Sequence, residues 1–134
     1  YAYDRVSAGR LWTEDTLELF LYEHDVDYTV GYTDEGNYPI YHANQDTWEF
    51  IFDHQGQLGV IGSTKCDEMC KGLLAEGDSL QKVTEVYGTD YRKHDLGWGY
   101  SQLRYEEEEY SFWIGIYDDW GCARFEKHMK GFDI

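Results

Sequence analysis

The chain has 134 residues, enough for one domain or for two small halves that share a core. Its 27 acidic residues outnumber 11 Lys and Arg, and a formal charge of −16 repels phosphate backbones and anionic membranes. That balance argues against nucleic-acid binding and leaves a protein partner, cations or plain solubility. No run of 18 apolar residues is present, so no membrane-inserted helix is expected.

Aromatic residues make up 18% of the chain, 13 of them Tyr, which favours strands and half-wet contact faces. Thr13 or Asp15 announces the first helix as N-cap, and Leu17, Phe20 and Leu21 form its apolar stripe. Strands are predicted at 28–32, 38–43, 48–52 and 58–61, separated by turns at 34–37, 44–46 and 54–57. In the third of these, Trp48, Phe50 and Phe52 alternate with Glu49 and Ile51, the period of a pleat. A helix is expected over Asp67–Ala75, and another follows Asp78 or Ser79 with Leu80, Val83, Val86 and Tyr87, ending at Gly88. Strands return at 91–94, 98–105, 110–117 and 122 to about 127, with the glutamate run Glu106–Glu109 as a solvated hairpin tip.

The order helix, four strands, helix, four strands points to an internal repeat. A shift of 63 residues carries Asp15-Thr16-Leu17 onto Asp78-Ser79-Leu80 and Asp27-Tyr28 onto Asp90-Tyr91. A shift of 64 carries Trp48, Phe50 and Phe52 onto Phe112, Ile114 and Ile116. A shift of 65 instead matches Trp48 to Trp113 and Asp53 to Asp118 by identity, which a bulge would reconcile. The expected architecture is therefore α+β: two tandem units, 1–64 and 65–134, each a helix plus a four-stranded antiparallel meander, with both sharing one compact domain as the variant. The helices would lie on one face of a curved sheet.

The run Glu76-Gly77-Asp78-Ser79-Leu80-Gln81-Lys82-Val83-Thr84-Glu85-Val86-Tyr87-Gly88 resembles the capped helix of β-lactamase-inhibitory-protein-like domains. These include the outer-membrane-assembly lipoprotein type, found in bacterial secreted and envelope proteins. The Tyr-rich stretch Tyr110–Tyr117 with Asp118-Asp119 is similar to the strands that follow it there. The likeness covers residues 76 to about 126 and extends more weakly to 15–61. It implies helices on an antiparallel sheet, a role in protein–protein contact and a secreted, periplasmic or cell-envelope location. Two features depart from the family: Thr89-Asp90 stands where a proline often follows the helix, and Cys66, Cys70 and Cys122 do not reproduce a disulfide in each repeat.

Pleat alternation gives the candidate site. With Phe112, Ile114 and Ile116 inward, Trp113 and Tyr117 face away from the helices. With Leu103 and Tyr105 inward, Trp98, Tyr100, Gln102 and Arg104 face outward. On the last strand, inward Ala123 and Phe125 leave Cys122, Arg124 and Glu126 outward. Trp98, Tyr100, Arg104, Trp113, Tyr117 and Arg124 would then share one helix-free face, and Trp, Tyr and Arg dominate interface energetics. The competing reading covers this face with the other unit or with residues 1–12.

Metal and cofactor chemistry has little to stand on. The acidic turns at 25–27 and 34–37 lack the spacing of a calcium loop, and His24, His42, His54, His94 and His128 form no zinc pattern. Cys122 beside Asp118 and Asp119 makes a poor nucleophile, because neighbouring negative charge raises a thiol pKa. The expectation is a non-enzymatic protein-binding module, with an inhibitor as one form of it, no cofactor and an unidentified protein partner. The first alternative is an acidic decoy that mimics nucleic acid or fills a basic cleft; the second is a hydrolase using paired carboxylates.

Overall fold

The computed structural model describes residues 12–65 and 73–132. Helix α1 (Glu14–Glu23) is followed by strands β1 (Tyr28–Tyr32), β2 (Pro39–Ala43), β3 (Trp48–Phe52) and β4 (Leu58–Ser63). Helix α2 (Leu80–Tyr87) precedes β5 (Arg92–Gly97), β6 (Tyr100–Glu106), β7 (Tyr110–Tyr117) and β8 (Gly121–Met129). The fold is α+β, dominated by one eight-stranded antiparallel sheet of order β1-β2-β3-β4-β8-β7-β6-β5. The helix expected over Asp67–Ala75 lies mostly outside the described residues, and Leu73–Ala75 are not helical.

Thr13 caps α1. Its hydroxyl accepts from the Thr16 amide, and the Thr16 hydroxyl accepts from the Thr13 amide at 2.8 Å, so two otherwise orphaned donors are satisfied. Leu17 and Leu21, one turn apart, are fully buried, each contributing about 1.5–3 kcal/mol by leaving water. Ser79 caps α2 by accepting from the Lys82 amide, and Val83 anchors that helix. Tyr87 packs on Tyr105 and Phe112 with ring centroids 5.6 and 5.2 Å away.

Register decides which side chains share a face. The row Tyr41–Phe50–Ile61–Lys127–Phe112–Tyr105 runs across six neighbouring strands by direct pairing. Apart from Lys127, its members belong to the one apolar core that also holds Leu17, Leu21 and Val83. Lys127 is nonetheless buried, its ammonium 4.7 Å from the Tyr110 ring centre. Phe112 thus lies on the helix side, and its neighbour Trp113 on the opposite side.

One expectation about parity fails. Gly115 pairs with Arg124 but Ile116 pairs with Cys122, so Ala123 is an extra residue, a bulge in β8. The bulge turns Cys122 inward, where it is fully buried and part of the core, instead of outward with Arg124. Burial, with Asp78 nearby, raises the thiol pKa to about 11, so this cysteine is held as a neutral, inert thiol.

Candidate functional site

On the helix-free face a second row crosses the whole sheet: Thr29–His42–Glu49–Gly62–Glu126–Trp113–Arg104–Arg92. Five of the six predicted site residues lie on this face, namely Tyr100, Arg104, Trp113, Tyr117 and Arg124. Two glycines let large side chains lie flat across it. A Cβ on Gly62 would meet the Arg124 guanidinium, and one on Gly115 would collide with the Tyr100 hydroxyl and sit 2.8 Å from its Cζ.

Arg124 joins the two halves of the sheet. Its Nη2 lies 3.2 Å from Glu49 on β3, and its Nε donates to Glu126 at 2.5 Å. Burial works against the Arg124 charge, but Glu126 and then Glu49 outweigh it and raise the pKa. Burial likewise works against the Glu126 carboxylate, yet donors from His128, at 2.7 Å, and Arg124 hold its pKa at about 2. Beyond the acid, the His128 ring stacks on Trp113 with centroids 3.5 Å apart. Arg104 covers the Trp113 ring at 3.8 Å. The indole N–H donates to Ser111 Oγ at 2.9 Å. Trp113 is thus clamped between the Arg104 guanidinium and the His128 ring, a fixed platform rather than a free probe.

Trp98 departs from the expectation. Strand β5 runs on to Gly97, the chain turns through Trp98 and Gly99, and β6 begins only at Tyr100. Trp98 therefore sits at a turn tip with φ of 58° and its side chain fully exposed, at 101%. The Asp118 amide donates to the Gly99 carbonyl at 2.9 Å and ties this tip to the β7–β8 turn, which carries Trp120 at 53% exposure. Tyr117, 40% exposed, packs against Tyr100 with ring centroids 4.6 Å apart. Trp98, Tyr117 and Trp120 thus form an aromatic end to the second half of the sheet.

Sequence reasoning placed Glu126 on this face without including it in the candidate site, and it did not assign Glu49, Arg92, Trp120 or His128 to the site. His128 continues the alternation of Arg124 and Glu126, so period two was enough to find it. Glu49 was not findable that way, because its place beside Arg124 depends on β4 pairing with β8. Among the described residues, no group of three or more His, Cys, Asp or Glu could hold a metal ion, and no helix is long and apolar enough to cross a membrane. The chain matches no protein-family profile, no curated protein and no solved structure.

Proposed function

We propose that this chain is a non-enzymatic binding module that captures another protein through the aromatic end of its second half. The observation that supports this reading is Trp98. A fully exposed indole gains nothing from folding, and a non-glycine residue in the left-handed region costs about 1 kcal/mol. The fold nevertheless presents it beside Trp120 and Tyr117, side-chain types that anchor interfaces. Tyr100, Arg104, Trp113 and Arg124 form the rigid floor behind that tip and lower the entropy lost on binding.

The same reading takes residues 1–64 and 65–134 as tandem copies of one unit related to the β-lactamase-inhibitory-protein-like domains, acting in a secreted or cell-envelope setting. It is supported by the repeated element order and by the 64-residue shift, under which Trp48, Phe50 and Phe52 meet Phe112, Ile114 and Ile116, all six of them core residues.

Trp98→Ala is expected to lower capture of a partner from native-cell extract tenfold or more while changing stability by no more than about 0.5 kcal/mol. Tyr22→Ala, on the exposed side of α1, serves as control and should leave capture unchanged. Trp113→Ala is not an equivalent probe, since it removes the surface between Arg104 and His128. Capture that survives both Trp98→Ala and Tyr117→Ala overturns the reading. A second reading, the acidic decoy, is favoured by the exposed tip Glu107–Glu109. It predicts capture that collapses between about 50 and 200 mM salt and ignores Trp98.

A further inference from the structure

At the far end of the same strands from Trp98, the helix-free face sinks into an open cleft of ≈ 290 Å³. Its walls include Arg92, Arg104, Ser111, Trp113, His128 and Lys130, so three formal cations gather in a molecule whose net charge is −16. Arg92 and Arg104 are direct cross-strand partners, a like-charge juxtaposition that opposes folding unless something neutralises it. The carboxylate lining the cleft, Glu106, is already engaged by Lys130 and by the Ser111 hydroxyl at 3.0 Å. The Arg92 side chain makes no hydrogen bond or ion pair among the described residues, though its charge helps to lower the pKa of Glu106, behind Lys130 and Ser111. Arg104 spends one Nη on Gln102 at 2.9 Å and lies flat on Trp113, while its Nε, shut off from water, has no acceptor. Burial and then Arg92 lower the pKa of Arg104 against the opposing pull of Glu126 and Glu106, and desolvation and then Arg104 and Arg92 lower that of His94.

We propose that this cleft is a receptor for an oxyanion group, a phosphate or a carboxylate, held by the guanidinium groups of Arg92 and Arg104. Two guanidinium groups lining one open cleft offer the N–H forks that oxyanions accept, and Trp113 fixes one of them by stacking. The cleft shares Arg104 and Trp113 with the floor of the proposed partner surface but lies at the opposite end of β5–β8 from the Trp98 tip, so Arg92→Ala and Trp98→Ala perturb the two separately.

The test is titration of the full chain with inorganic phosphate and, separately, with acetate, at ionic strength held constant with sodium chloride. The reporters are the Trp113 indole N–H and the Arg104 Nε–H resonances. Saturable shifts of both are expected, with the tighter of the two anions naming the group recognised. Arg92→Ala, on an exposed edge strand away from Trp113, should weaken the response on the order of tenfold. Lys82→Ala on α2 should leave it intact. Shifts that never saturate, or that are equal in Arg92→Ala and the unaltered chain, would mean a general salt effect and overturn the proposal. Oxyanion binding without partner capture removes the proposed function and leaves the cleft; capture with a silent cleft does the reverse.

Discussion

Glu126 keeps its charge on a half-buried sheet face because Arg124 and His128 both donate to it. Its folded pKa of about 2 lies below the ordinary 4.5, so its contribution to stability is full above pH 4.5 and is lost as pH falls toward 2. Glu126→Gln should therefore cost about 2–3 kcal/mol at neutral pH and flatten the acid limb of the stability curve in that window. Urea denaturation of both chains at a series of pH values checks this; parallel acid limbs would mean that Glu126 titrates normally. Single side chains were readable in the sequence wherever pleat alternation held, as for Trp113 against Phe112. Alternation failed at Trp98, where glycines on both sides admit a tight turn, and at Cys122, where one inserted residue, Ala123, reverses parity with no local signal.

Among the elements, β6 and β7 depend on a missing side chain. Tyr100 crosses Gly115, and its hydroxyl lies near Arg124 and Glu126; burial, then the Glu126 charge, raises its pKa. Gly115→Ala should force Tyr100 aside and destabilise the fold by about 1–3 kcal/mol, measured by chemical denaturation. Adding Tyr100→Ala should recover most of that loss, because the obstacle is then gone; strictly additive losses would contradict the close approach. Helix and strand positions were largely readable, since caps, the Leu17–Leu21 spacing and the alternation of Trp48, Phe50 and Phe52 are local patterns. Strand pairing was not. Nothing in residues 58–63 or 121–129 announces that β4 joins β8, yet that pairing brings Glu49 within reach of Arg124 and creates the row across both halves.

For the molecule as a whole, one sheet carries opposite chemistries on its two faces. The helix side holds the continuous apolar core, and the other side holds a clamped aromatic and charged row across the strands, with an aromatic tip at one end of β5–β8 and a cationic cleft at the other. Composition pointed to sheet and to contact surfaces, but a net charge of −16 gave no hint of clustered cations, because a sum over the chain hides where its few Arg and Lys residues meet. The proposed recognition surface is tested most directly by hydroxyl-radical footprinting of the chain, alone and with any protein it captures. Trp98, Tyr117 and Trp120 should react freely in isolation and become protected in the complex, while the buried Trp48 stays silent in both. A Trp98 that remains fully reactive in the complex, with protection falling instead on α1, would contradict the assignment.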